Sequence, residues 1–156
     1  MEPPDRGNKA PPSAGSHPAN LTEPTETAAP ASADASSALR VLVVDDDAGV
    51  RDVAVRLLEF EGLHATSVAS GREALELLDA QSFDCVLLDL TMPQFSGSDT
   101  FHALRQRDQE LPVVFSSGQR DLTIESLVGE NENAYFLDKP FTPRRLLEII
   151  SRACKR

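Results

Sequence analysis

No stretch of this chain holds the roughly 18 to 20 consecutive apolar residues that a membrane-spanning helix requires. The first residues also lack the charged-then-apolar order of a secretory signal, so a soluble cytoplasmic protein with no membrane partner is expected. Basic residues are in deficit: 15 Lys and Arg stand against 25 Asp and Glu, for a formal net charge of -10. Direct nucleic-acid binding is not expected, because it draws most of its affinity from Lys and Arg on phosphates. The basic residues near the C-terminus, Arg144, Arg145, Arg152, Lys155 and Arg156, are read as the solvent face of a last helix. Cysteine is scarce. Cys85 and Cys154 form no metal-binding spacing, and Cys85, within an apolar run, reads as a small core residue. His17, His64 and His102 share no ligand or catalytic spacing and read as surface or loop residues.

What remains divides the chain in two. Residues 1–38 carry most of the eleven prolines, much Ala, Ser and Thr, and a single Leu. Such a segment cannot bury enough apolar surface to offset its ordering entropy, and is expected to be a disordered tail. Residues 39–156 suffice for one ordinary domain.

Within that domain short apolar runs alternate with helical segments, the pattern of an α/β fold with a parallel sheet. Val41 to Val44, Cys85 to Leu88, Val113 to Phe115 and Tyr135 to Leu137 read as buried strands, with another at His64 to Val68. A first helix is expected over Gly49 to Glu61, with Val50, Val53, Ala54, Leu57 and Leu58 on one face and Gly62 as its stop. Ser70-Gly71-Arg72-Glu73 reads as a capping box for a helix to about Ala80. Thr91 to Gly97, with Pro93, must be a loop; Ser98 to Arg107 and Asp121 to Gly129 are expected helices. Thr142 and Pro143 supply an N-cap and a first-turn proline for a last helix burying Leu146, Leu147 and Ile150. Five strands and five helices in alternation fit a flavodoxin-like doubly wound sheet.

Four features each follow one of those apolar runs: Asp45, Asp46 and Asp47; Asp89; Ser117; and Lys139-Pro140. In open α/β sheets the C-terminal strand ends share the edge where ligands bind. Carboxylates gathered there repel one another unless a cation neutralises them, and an all-oxygen site suits a hard ion such as magnesium. The chemistry indicated is phosphoryl transfer to a carboxylate. A metal ion bridging Asp89 and an incoming phosphoryl group offsets their repulsion, Lys139 adds a second positive charge, and Ser117 donates a hydrogen bond. The alternative for the Asp45 to Asp47 cluster is a helix N-terminus, where acidic side chains favour the helix dipole.

The stretches VLVVDDD at 41–47, CVLLDLTMPQFSG at 85–97, LPVVFSSG at 111–118 and YFLDKPF at 135–141 resemble, in order, those of a receiver domain of two-component response regulators. The resemblance covers residues 39–156. It implies the strand order 2-1-3-4-5, a cis peptide at Lys139-Pro140, and Asp89 as acceptor of a phosphoryl group from a histidine kinase or a histidine phosphotransfer protein. It further implies magnesium bound directly by Asp46, Asp89 and the Thr91 carbonyl, with Asp45 acting through water. Lys139 matches the phosphate-contacting lysine, and Ser117 and Phe136 match hydroxyl and aromatic switch positions for a downstream protein partner. Ser116 adjoins Ser117 and Tyr135 adjoins Phe136; counting from Pro112 and back from Lys139 selects Ser117 and Phe136. The domain is expected to promote only its own phosphorylation and dephosphorylation.

Two departures accompany the match. Gly129-Glu130-Asn131-Glu132-Asn133 replaces the small Gly-Ala stretch usual before the fifth strand, which bears on the partner-binding face near the fourth helix. The given sequence ends at Arg156, soon after the expected last helix, and is read as a stand-alone receiver or a piece resembling the receivers of hybrid histidine kinases. Competing readings are a magnesium-dependent phosphohydrolase passing through an aspartyl phosphate, and a non-phosphorylated pseudo-receiver used only for binding. Such hydrolases place a second Asp two residues after the nucleophile, where this chain has Thr91.

Overall fold

The computed structural model describes residues 38–155. All but the last residue of the expected tail lies outside that range, as does Arg156. Elements alternate without exception: β1 (Arg40–Val44), α1 (Ala48–Phe60), β2 (His64–Val68), α2 (Gly71–Ala80), β3 (Cys85–Asp89), α3 (Gly97–Arg107), β4 (Val113–Ser117), α4 (Leu122–Gly129), β5 (Ala134–Asp138) and α5 (Pro143–Cys154). All strand pairs are parallel, in the order β2-β1-β3-β4-β5. This is the doubly wound, flavodoxin-like sheet expected from the sequence.

Strand alternation divides the core into two layers. Leu42, Val44, Val86, Leu88, Val113 and Phe115 face α2, α3 and α4, where Phe101 meets Phe115 edge-on at 4.8 Å. Val41, Val43, Cys85, Leu87, Val114 and Leu137 face α1 and α5. Being covered on both faces is why β3 and β4 are buried throughout and read as unbroken apolar runs.

The helices begin where capping residues dictate. Ser70, Asp121 and Thr142 accept hydrogen bonds from the backbone N–H groups of Glu73, Ile124 and Arg145. Glu73 completes its half of the capping arrangement through the N–H of Ala69 at 3.4 Å, one residue before the cap. Helix α3 starts one residue earlier than expected because Ser96 caps it. Helix α1 starts at Ala48 because Asp47 accepts from Gly49 and Val50.

Two core assignments are corrected. Val53, expected on the buried face of α1, is 53% exposed; only Ala54 and Leu58 of that helix are fully buried. In α5 the core residues are Leu146, Ile149, Ile150 and Ala153, with Leu147 half-buried. Arg144 and Arg145 lie exposed on α5 and pair with Glu148, as expected of a solvated face. The Glu130 to Asn133 segment turns α4 into β5: Asn131 donates to the carbonyl of Leu127 at 2.7 Å, and the Asn133 carbonyl accepts from Val113.

Candidate functional site

Register explains how distant carboxylates meet. Strands β1 and β3 pair Val43 with Leu87 and Val44 with Leu88, so the next positions, Asp45 and Asp89, lie opposite each other. Both continue the rows that face α1 and α5 (Val41, Val43; Cys85, Leu87), which places their side chains on one side of the sheet. Each is almost wholly buried, at 3% and 2% exposure, whereas Asp46 and Asp47 are exposed.

Lys139 arrives from β5 on the same edge. Its backbone N–H donates to the carbonyl of Ser117 at 2.9 Å, and its peptide bond to Pro140 is cis, as expected. Its ammonium Nζ donates to Asp45 Oδ2 at 2.6 Å and lies 3.4 Å from Asp89 Oδ1. The remaining contacts of the Asp89 carboxylate also fall on Oδ1, from the Thr91 N–H at 3.0 Å and the Thr91 hydroxyl at 2.9 Å. Asp45 in turn accepts the N–H of Asp47 at 2.9 Å, while its backbone carbonyl accepts from Arg51 Nη1 at 2.7 Å.

The electrostatics follow from this crowding. Burial pushes the Asp45 carboxyl above its ordinary range, against the bonds from Lys139 and Asp47, and the nearby Asp89 charge adds to the rise. Burial alone would lower the Lys139 ammonium, but its bond to Asp45 and the charges of Asp89 and Asp45 outweigh it and hold Lys139 above its ordinary value. Asp45 and Lys139 both rise, though they are partners. The directions are compatible, because Lys139 answers two carboxylates whereas Asp45 shares one ammonium and loses its water.

Asp45, Asp46 and Asp89 each offer a carboxylate oxygen, and these lie within 4.8 Å of one another. Oxygens around an octahedral magnesium stand about 2.9 Å apart when adjacent and about 4.2 Å when opposite, so the three fit one ion after modest side-chain movement. The site could therefore hold a hard divalent cation, with Lys139 as the internal counter-charge.

The remaining predicted residues fall around it. Thr91 is exposed beside Asp89. Ser116 and Ser117 are both buried: Ser116 pairs in register with Asp89, and Ser117 lies one residue beyond, its Oγ accepting the N–H of Gln119 at 3.1 Å. Phe136 is buried in the layer facing α2 to α4, with the guanidinium of Arg120 4.5 Å above its ring. His64, which opens β2, and His102, within α3, are exposed. Sequence reasoning missed Arg51, Gln119 and Arg120. Their contacts join a helix to a strand-end carbonyl, a loop to a hydroxyl and a loop to a ring, for which no spacing rule exists.

Residues 41–151 match the response regulator receiver domain family, and the chain belongs to it. The chain is 37% identical over 110 residues to the response regulator MprA of Mycolicibacterium vanbaalenii, covering 70% of this chain and 47% of that protein. It is equally 37% identical over 118 residues to the transcriptional regulatory protein CpxR of Escherichia coli, covering 75% of this chain and 50% of that one. The chain thus spans about half the length of these relatives. Among solved structures, the chemotaxis protein CheY4 of Vibrio cholerae superposes with a TM-score of 0.70 at 26% identity, covering 74% of this chain and 98% of that one. No helix among the described residues is long and apolar enough to cross a membrane.

Proposed function

We propose that this receiver accepts a phosphoryl group on Asp89 in a magnesium-dependent phosphorelay and thereby switches a protein-binding surface. The observation that carries the proposal is the convergence of three carboxylates within 4.8 Å, with the Lys139 ammonium against two of them. A buried acidic pair with its own cation at a parallel-sheet edge is costly to maintain for structure alone.

Thr91 and Lys139 hold Oδ1 of Asp89, which leaves Oδ2 as the nucleophile. That oxygen forms a bond to phosphorus while the phosphorus–nitrogen bond of a phosphohistidine breaks, its electron pair returning to the imidazole. Asp46, Asp89 and the Thr91 carbonyl would hold magnesium, with Asp45 acting through water, and the ion would supply charge that offsets repulsion between nucleophile and phosphoryl group. Lys139 moves its charge toward the new phosphoryl oxygens. The Ser117 hydroxyl accepts from Gln119 and keeps its proton to donate to a phosphoryl oxygen.

The donor is a histidine kinase or a histidine phosphotransfer protein. A depression of about 620 Å³ lined by Asp47, Gly49, Val50, Val53, Lys139, Pro140 and Phe141 borders the site and offers it an apolar seat. Movement of Ser117 toward the phosphoryl group, with Phe136 repacking beneath Arg120, biases the surface formed by α4, β5 and α5 toward a downstream protein. The protein acts in the cytoplasm, without contact to nucleic acid or membrane, and promotes only its own phosphorylation and dephosphorylation.

Incubation with a small acyl phosphate and magnesium tests this reading. Wild-type protein is expected to form one acid-stable, base-labile adduct on Asp89, and Asp89→Asn none. An adduct on Asp89→Asn at the wild-type level, or steady turnover of external phosphate esters, would overturn the proposal.

A further inference from the structure

The two cysteines, 69 positions apart in the sequence, share one apolar layer of the core, and Cys85 stands at the end of β3 opposite to Asp89. Cys85 opens β3 and is fully buried, whereas Cys154 closes α5 and is half-buried. Both thiols are free. Cys154 packs against the apolar layer that contains Cys85, and its Sγ stands 4.0 Å from the carbonyl oxygen of Asp84, the residue just before Cys85. That contact and the shared apolar layer bring the Cys154 thiol to the start of β3, beside Cys85.

We propose that Cys85 and Cys154 form a reversible redox pair, in which Cys154 reacts with a hydroperoxide and Cys85 resolves the product into a disulfide tying α5 to β3. Reactive thiols of this kind are partly exposed, with a resolving cysteine beside them. Only Cys154 is reachable from solvent.

Hydrogen bonding from Cys85 pulls the Cys154 thiol below its ordinary range, against partial burial and the charge of Asp84. Contact with Cys154, then burial, pushes Cys85 well above its ordinary range. Cys154, the half-buried thiol of the two, is the nucleophile. Its sulfur attacks one peroxide oxygen, forming a sulfur–oxygen bond as the oxygen–oxygen bond breaks, and the departing oxygen takes up the thiol proton as water or an alcohol. The Cys85 sulfur then attacks the Cys154 sulfur, the sulfur–sulfur bond forms, and hydroxide leaves with the Cys85 proton as water. Two electrons pass from the sulfurs to the peroxide, and a dithiol reductant reverses the change.

The disulfide would anchor the last turn of α5 to the first residue of β3. Five residues of strand, about 13 Å from first to last, separate that anchor from Asp89, so the pair is chemically independent of the phosphoacceptor site. It nevertheless restrains the helix that follows Lys139 and Pro140.

Titration of the folded protein with hydrogen peroxide tests the pair, read by thiol counting and mass spectrometry without reductant. Both thiols are expected to disappear together, with a mass loss of two hydrogens, a Cys85–Cys154 cross-linked peptide and full recovery on adding dithiothreitol. Cys85→Ala is expected to stop at a Cys154 sulfenic acid that dimedone traps, and Cys154→Ser to leave Cys85 unreacted. Oxidation of Cys154 with Cys85 still titratable, a disulfide between two chains, or no loss of thiol would each overturn the proposal.

Discussion

Lys139 Nζ and Asp45 Oδ2 lie 2.6 Å apart, although 94 residues separate them in the sequence. The contact joins the end of β5 to the end of β1 across two intervening strands, and it sets an ammonium against both buried carboxylates. Several consequences of this arrangement are measurable.

Lys139→Ala should destabilise the metal-free protein by about 2 kcal/mol, because it leaves Asp45 and Asp89 buried without a counter-charge. Magnesium should restore part of the loss by binding only the folded state. The check is urea denaturation with and without magnesium; a variant as stable as wild type in chelator would show that Lys139 does not neutralise the pair.

Asp46 is exposed, so Asp46→Ala should fold normally. It should lose the rise in melting temperature that magnesium gives the wild type, and with it phosphoacceptance. An unchanged magnesium shift would remove Asp46 from the ligand set.

The raised Asp45 carboxyl carries a defined pH dependence. The folded state binds this proton more readily than the unfolded chain does. Its contribution therefore makes the metal-free protein more stable as pH falls through the folded-state value and less stable as pH rises through it. Lys139, also raised, contributes stability that is present at neutral pH and lost only in the alkaline range. In chelator, Asp45→Asn should exceed the wild type in stability at neutral pH, and the gap should close on acidification toward pH 4. A gap that widens on acidification would mean that the ion pair with Lys139 dominates Asp45.

Gly97 is required by a close approach. A β-carbon there would stand 2.4 Å from the Asp89 carbonyl oxygen and 2.6 Å from Leu90 Cα, both backbone atoms. Gly97→Ala should cost about 2 to 3 kcal/mol by overpacking and slow phosphorylation by displacing Asp89. Gly129→Ala meets nothing within 4 Å and should be neutral or mildly stabilising in the same denaturation assay.

Much of the fold was legible because it rests on local physics. Strands buried on both faces must be apolar throughout, which is why Val41 to Val44, Cys85 to Leu88 and Val113 to Phe115 could be placed before any coordinate was known. Ser70 and Thr142 marked helix starts because unsatisfied N–H groups need acceptors there. Val53 was misplaced because helical periodicity indicates an apolar face without saying how wide the cover over it is.

The sequence by itself determined the alternating β/α order, the family motifs and the presence of acidic, hydroxyl and basic residues just after the strands. Tertiary structure alone decided which of three consecutive aspartates is buried beside Asp89, since that depends on the register of β1 against β3. It also decided that Lys139 reaches Asp45, that Arg120 covers Phe136 and that Cys154 packs on the layer containing Cys85. Each of these pairs sits on separate elements, and the distance between them is set by how helices pack on a twisted sheet. Residue type and spacing carry no record of that distance.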